Sequence, residues 1–546
     1  MGKRAGSNII LIGFSTTGKS KVGKKVAECL SWGFVDTDSE IEKISAKTIP
    51  EIFAQHGEQY FRDLEREVLK KACSGGRRVI ATGGGAILDP QNRELMFSSG
   101  MITCLEAQAE TIYRRLLDDT ATSGPLRPLL VADDPLQHIN YLKEFRQPYY
   151  DIADWTVHTD NLSLDEVAQE VLRGWQYWSR AYRQEDDVCM VIAQTSCYPI
   201  FVGWGSLRDL GKRMHQADLS GKAFIISDET VFSLYGTQLK DCLRDAGFTT
   251  SSIVVPPGEA TKSLDSAAKI YHRLVEGRAE RKDVIVALGG GVVGDLAGFV
   301  AATFLRGLPL VQLPTSLVAM VDAAIGGKTA VNHPQAKNII GTFYQPRLVL
   351  ADVQTLATLP HRELVSGWAE VAKHSLILDA GFFQFLEDNV DRLTKLDPEL
   401  LLEAIKRSAA IKAKVVSEDE KETGRRTLLN YGHTIAHGLE AATNYERFLH
   451  GEAVAIGMMG AAMLSERMGI LEPSVVERQK VLLSRFGLPS SSSGIELARL
   501  LQAMGLDKKM QGGKIRWVLL QAIGQPVIRN DVPAEQVIDM LKCLIV

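Results

Sequence analysis

The sequence predicts an α/β protein of at least two domains: an N-terminal parallel-sheet domain, then a second α/β part, then an all-helical part. Three observations lead there. From residue 1 to about 173, short aliphatic runs (IILIGF, RRVIATGGG, MITCLE) alternate with amphipathic stretches at 41–53 and 62–73, the pattern of parallel strands joined by helices. From 188 to about 355 the alternation resumes, with FIISDET, SSIVVPPGE and VIVALGGGVVGD as buried-strand ends. After Leu359 the pattern turns helical, with few β-branched runs until KIRWVLLQAIG. A length of 546 residues exceeds what one core supports, at roughly 150 residues per domain. We place the parts at 1–175, 188–355 and 356–546, with the first junction in WQYWSRAYRQEDD.

Composition narrows the ligands. With 45% hydrophobic and 23% charged residues the chain reads as ordinary globular protein, and its formal net charge of −4 offers no general attraction to nucleic acid or anionic membrane. Anions must be held by local clusters, which suits small phosphorylated molecules. Seven scattered cysteines without a CxxC pair argue against a zinc ribbon or disulfide framework and for a reducing cytoplasm. Asp295 and Arg306 interrupt the best apolar run, so no membrane span of about 18 residues is expected. The opening apolar run is too short for a signal peptide and leads straight into a glycine loop.

That loop is IILIGFSTTGKS. Gly13 and Gly18 let backbone N–H groups turn toward phosphate oxygens, Lys19 reaches the outer phosphates of ATP, and the Ser20 hydroxyl is suited to Mg²⁺. Downstream follow FVDTDSEIE, EIFAQHGEQYFRDLE, ATGGGA, GPLRPLL and EFRQPYYDIAD, and in this order the half up to residue 173 resembles shikimate kinase. The resemblance implies a P-loop kinase-type domain. Asp36 would be the Mg²⁺-associated carboxylate and Asp38 the residue that holds the acceptor hydroxyls and takes the proton. Arg62 and Arg146 would grip the shikimate carboxylate, Gly83, Gly84 and Gly85 would admit the ring, and Arg127 would sit in a closing lid as a catalytic residue. Phosphoryl transfer asks for positioning and charge neutralisation, which these residue types supply. Thr16 stands where that family often has Gly, and Asp118 and Asp119 stand where its lid often has a basic residue.

The second half carries VIVALGGGVVGDLAGF, a buried strand ending in glycines that would admit a dinucleotide pyrophosphate but lack the GxGxxG spacing. His433 and His437, four apart, suggest by spacing alone an HxxxH metal pair. With VDAAIGGKTAVN, AKNIIGTFYQP, GWAEVAKHSLI, RRTLLNYGHTIAHGLE and FLHGEAVAIG added, residues 188–546 resemble 3-dehydroquinate synthase. This implies an NAD-binding α/β part followed by a helical metal- and substrate-binding part. The metal, Zn²⁺ or Co²⁺, would then sit on Glu370, His433 and His450, leaving His437 for substrate and proton transfer. By the same resemblance Asp228, Glu259, Lys262, Gly290, Gly291, Val292, Asp295, Thr315, Ser316 and Thr358 line NAD, with Asp322, Lys328 and Lys337 close by. Lys328, Asn338 and Lys508, helped by Arg306, take the substrate phosphate. Lys373, Lys412, Arg426 and Asn430 take the carboxylate and hydroxyls, and Asp322 and Glu422 organise them. Lys328, Lys373, Glu422 and His437 are the expected catalytic groups. The whole implies a bifunctional enzyme of aromatic biosynthesis acting on small molecules, with the synthase half as a homodimer. The alternative is a polyol dehydrogenase fused to another kinase, which would consume NAD stoichiometrically.

Overall fold

The computed structural model describes residues 7–123, 134–150, 152–160, 162–181, 188–193, 197–334, 336–422, 424–505 and 515–545. The chain divides into two compact units, Met1–Gln184 and Glu185–Val546. Arg127 and Lys508 lie outside the described residues.

In the first unit, β1 (Asn8–Ile12), β2 (Gly33–Asp36), β3 (Arg78–Ala81), β4 (Gly100–Glu106) and β5 (Trp155–His158) form a sheet of order β2-β3-β1-β4-β5. All four pairings are parallel. The continuous apolar run NIILI is what a strand covered on both faces requires, and every residue of it is buried. Parallel strands bring their carboxyl ends to one edge, so the loops at Gly13 and Gly83 open side by side there. Two caps set the neighbouring helices. Asp36 accepts from the N–H groups of Asp38 and Ser39 and starts the helix Thr37–Ser45, and a Thr48–Glu51 capping box starts Ile49–Cys73, which bends at Gly57 (φ 80°). The aromatic segment near 175 ends the helix Leu164–Ala181.

In the second unit, β6 (Val188–Ile192), β7 (Cys197–Gly203), β8 (Lys222–Asp228), β9 (Thr249–Val255), β10 (Val284–Gly289) and β11 (Leu310–Pro314) come first. An antiparallel hairpin of β12 (Lys328–His333) and β13 (Ala336–Phe343) follows, then β14 (Leu348–Asp352). The sheet runs β6-β7-β14-β11-β10-β8-β9 and is parallel except for the β6–β7 pair at its edge. β10 is buried throughout and passes at Gly290 into the helix Gly291–Thr303, one turn of which carries Asp295.

Beyond this sheet the chain is helical, with one hairpin, β15 (Trp517–Ala522) and β16 (Gln525–Arg529), at the KIRWVLLQAIG segment. The helices His361–Leu378, Pro398–Glu418, His433–Ala442 and His450–Arg467 share a core with β7 and β14. Trp368 fixes the register of the first: its ring stacks on Phe486 at 4.6 Å, worth about 0.5–1.5 kcal/mol beyond the area buried. Glu370, Lys373 and His374 follow within the next two turns and are fully enclosed. No helix among the described residues is long and apolar enough to cross a membrane.

Candidate active sites

The first site is built on the Gly13 loop. At Gly13 the backbone takes φ 139°, and a side chain there would place its Cβ 2.2 Å from the Leu105 carbonyl oxygen, so only glycine lets the loop pass. Thr16 takes φ 63°, a left-handed conformation that costs a β-branched residue about 1–2 kcal/mol, which explains why glycine serves better at this position. Lys19 Nζ reaches back across the loop to the carbonyls of Gly13 (2.9 Å) and Phe14 (2.8 Å). Burial lowers its pKa to about 8, against the pull of Asp38 and Asp36. An ammonium desolvated in this way gains most from an incoming phosphate.

Facing the loop, Gly83–Gly85 forms a floor. A Cβ on Gly83 would lie 2.6 Å from Asp38 Oδ1, and one on Gly85 2.9 Å from Arg62 Nη2. The Gly84 carbonyl accepts from Arg146 Nη1 (3.2 Å) and Tyr150 Oη (3.1 Å). Asp38, Arg62 and Arg146 thus converge on one glycine-lined surface next to Lys19. Burial raises the Asp38 carboxyl above its usual range, Asp36 adds to this, and Lys19 opposes it. A base with a raised pKa accepts a hydroxyl proton more readily. Glu65, 1% exposed, was not expected. It takes Arg62 Nη1 at 2.8 Å and aims the guanidinium at the floor. Its signal in the sequence was only a carboxylate three residues after Arg62, which any surface helix shows. Asp36 caps its helix, its carboxylate accepting from the Asp38 and Ser39 N–H groups at 3.1 and 3.2 Å, and its charge acts on Lys19.

The second site is in the helical part of the second unit. Glu370, His433 and His450 present ligand atoms within 4.8 Å of one another. The Nε2 atoms of His433 and His450 lie 3.7 and 3.6 Å from Glu370 Oε1, too far for hydrogen bonds and suited to flanking an ion. Glu370 Oε2 takes the Lys373 ammonium as an ion pair, whereas Oε1 is buried without a hydrogen-bond donor, a costly arrangement that a cation relieves. The outer nitrogens are fixed: His450 Nδ1 meets Glu440 at 3.1 Å and His433 Nδ1 meets the Tyr431 carbonyl at 3.3 Å. Second partners of this kind orient imidazoles toward a metal. Burial pushes Glu370 up, but Lys373 and the two histidines hold it well below the ordinary carboxylate range. Burial depresses His450, whereas Glu370 and Glu440 outweigh it and raise the pKa to about 10, so a bound cation displaces a proton there. The donor set therefore fits Zn²⁺ or Co²⁺ with open positions. Asp322, Glu370 and His374 form a second group of ligand atoms, but Lys412 and Lys373 pair with its two carboxylates and Ser408 occupies His374 Nδ1. His437 stands beside the first triad, its ring 5.5 Å from His433 and 6.4 Å from His450. Burial lowers its pKa, leaving the imidazole neutral.

Around the triad stands a ring of paired cations. Lys373 pairs with Glu370, Lys412 with Asp322, and Lys328 with Glu422, which also accepts from Asn430 Nδ2 at 2.9 Å. Burial brings Lys412 to about 8 while Asp322 opposes it. Arg426 is buried. It is 1% exposed and donates to the carbonyls of Glu420 (2.6 Å) and Gly326 (3.3 Å), while the Tyr198 hydroxyl accepts the Gly326 N–H at 3.0 Å. Through these bonds Arg426 braces the Gly326-Gly327-Lys328 turn, while its Nε is buried without a hydrogen-bond partner.

At the end of β10, Gly290 and Gly291 pack on Ser316 and Ala323, where a Cβ would come within 3.4 and 3.3 Å. Lys262 bridges Asp295 and Asn338, and burial raises Asp295 to about 6 against the pull of Lys262. Glu259 receives Asn332 Nδ2 at 2.7 Å. Thr315 is buried beside the glycine turn, with its N–H on the Gly289 carbonyl at 3.0 Å. Asp228 caps the turn after β8 through Val231, and Thr358 meets Tyr235 Oη at 2.6 Å. Lys337 lies 4.3 Å over the Tyr445 ring, and Arg306 takes φ 67° in the turn after the Gly291–Thr303 helix.

Comparison with known proteins relates the chain to two families. The profile described as shikimate kinase matches residues 15–176, and those described as 3-dehydroquinate synthase N-terminal and C-terminal match 252–366 and 367–510. A 3-dehydroquinate synthase of Nostoc punctiforme is 46% identical over 348 residues, 63% of this chain and 96% of that protein. Among solved structures, 2-epi-5-epi-valiolone synthase of Streptomyces hygroscopicus with NAD⁺ and Zn²⁺ bound is 30% identical, with a TM-score of 0.58 over 64% of this chain and 96% of its own. A 2-deoxy-scyllo-inosose synthase complexed with carbaglucose-6-phosphate, NAD⁺ and Co²⁺ is 26% identical, with a TM-score of 0.60 over 66% of this chain and all of its own. Through its second unit the chain belongs to the 3-dehydroquinate synthase family, and with the shikimate kinase domain ahead of it the protein is a bifunctional enzyme of the shikimate pathway.

Proposed function

We propose the following division of labour. The first site transfers the outer phosphoryl group of ATP to shikimate. Lys19 and the loop N–H groups hold the phosphates, Ser20 and Asp36 face Mg²⁺, Arg62 and Arg146 hold the carboxylate, and Asp38 takes the hydroxyl proton. Arg127, by its place in GPLRPLL, steadies the moving group. The second site converts 3-deoxy-D-arabino-heptulosonate 7-phosphate to 3-dehydroquinate and phosphate. The observation that carries this is the Glu370–His433–His450 triad ringed by Lys373, Lys412 and Lys328.

Glu370, His433 and His450 would hold Zn²⁺ or Co²⁺, and Gly290, Gly291, Asp295, Glu259 and Lys262 would hold NAD. Bound there, the metal would supply acidification of a substrate hydroxyl and NAD a hydride acceptor that is restored within the turnover. The remaining work falls to the protein. Lys373, Lys412, Arg426 and Asn430 hold the carboxylate and hydroxyls, and Lys328, Asn338 and Lys508 hold the phosphate, with Arg306 reaching it from a second copy in a homodimer. The neutral imidazole of His437 moves the proton that accompanies phosphate loss. Glu422 keeps Lys328 and Asn430 in place. Seven cysteines, none in a disulfide, suit a reducing cytoplasm.

One equivalent of NAD⁺ should support many turnovers of phosphate release and leave no net NADH. Absorbance at the NADH band alongside a phosphate assay measures both. NADH rising in step with phosphate would instead favour a dehydrogenase.

A further inference from the structure

Asn332, at the end of the β12–β13 hairpin, touches more of the second site than any expectation assigned to it. Its backbone N–H donates to the Lys262 carbonyl at 2.8 Å, its Nδ2 donates to Glu259 at 2.7 Å, and its Oδ1 accepts the backbone N–H of Asn338 at 3.0 Å. Glu259 and Lys262 belong to the loop after β9, and Asn338 to β13. Asn338 adopts φ 59°, a conformation that asparagine tolerates but that needs outside support to persist. Its backbone N–H is held by Asn332, whereas the neighbouring Lys262 ammonium holds only its side-chain oxygen.

We propose that Asn332 is a positioning residue that couples dinucleotide binding to binding of the substrate phosphate. The proposal rests on the reading that Glu259 and Lys262 face NAD and Asn338 faces phosphate. A dinucleotide that orders Glu259 and Lys262 orders Asn332 with them, and Asn338 is then already in its binding conformation when phosphate arrives. The cost of ordering is met once for two ligands, so each tightens the other by the same factor.

Titration calorimetry on the full chain tests this, with NAD⁺ titrated in the presence and absence of saturating inorganic phosphate. In the unmutated protein phosphate should tighten NAD⁺ about fivefold or more, within the usual range of coupling between sites. In Asn332→Ala both side-chain bonds are lost and the tightening should fall below about twofold, with NAD⁺ still bound and the thermal unfolding midpoint little changed. Asn332→Asp is isosteric, keeps the acceptor for Asn338 and sets a carboxylate against Glu259; it should lose the coupling too, and it carries the test if the alanine variant does not fold. Unmutated protein that binds NAD⁺ equally with and without phosphate would overturn the coupling, as would variants that keep it. Unmutated protein that binds no NAD⁺ would overturn the assignment of the dinucleotide site on which the proposal rests.

Discussion

Lys19→Met abolishes ATP-dependent phosphorylation of shikimate and leaves heptulosonate phosphate conversion intact. The expected loss is at least about a hundredfold, on the order of 3 kcal/mol of transition-state stabilisation, as when one preorganised donor is removed from developing charge. Methionine suits the test because it keeps the apolar stem in a buried slot and deletes only the ammonium, which burial has already brought to about 8. The fold therefore has little reason to fail. Coupled assays of the two reactions on the same preparation, with a melting curve to show that it is folded, separate loss of chemistry from loss of structure. A Lys19→Met protein that still phosphorylates shikimate at the unmutated rate would remove the loop from the reaction.

His450→Ala should do the converse, sparing the kinase and lowering synthase turnover by more than about a hundredfold. Even partners of metal ligands are worth tenfold to a hundredfold in metal affinity, and a ligand is worth more. The side chain lies at the first residue of the His450–Arg467 helix, so its removal leaves that helix's hydrogen bonds in place. Co²⁺ titration followed by visible absorption supplies a readout that does not depend on turnover: the variant should bind the ion more weakly and with an altered spectrum. Unchanged Co²⁺ binding would show that the ligand set is not Glu370, His433 and His450.

Both sites were partly legible in the sequence, and the reasons differ from residue to residue. Gly13, Gly18 and Lys19 act through a local turn, so their spacing alone carries the geometry. Strand runs such as NIILI and VIVALG announced themselves because both faces are buried, but the order β2-β3-β1-β4-β5 depends on crossovers that no single run encodes. His433 and His437 do share a short helix, yet only one of them joins the triad. Glu370 arrives from a helix far earlier in the chain, so spacing within one segment could not decide between the pairings. Glu65, Glu440 and Asn332 are ordinary polar residues whose importance comes from what tertiary packing sets beside them. Arg426 stood out by its motif, whereas its bonds to the Glu420 and Gly326 carbonyls come from tertiary packing alone.

Two independent reactions on one polypeptide are the core of this account. The synthase product must be dehydrated and reduced before it is shikimate, so neither site feeds the other directly. The most direct test assays the purified, unmutated chain with each substrate set alone: shikimate with ATP and Mg²⁺, and the seven-carbon phosphate with NAD⁺ and Zn²⁺. The account predicts that both reactions proceed, each at the same rate whether or not the other set is present. A chain that carries out only one of them, or whose two rates rise and fall together, would contradict it.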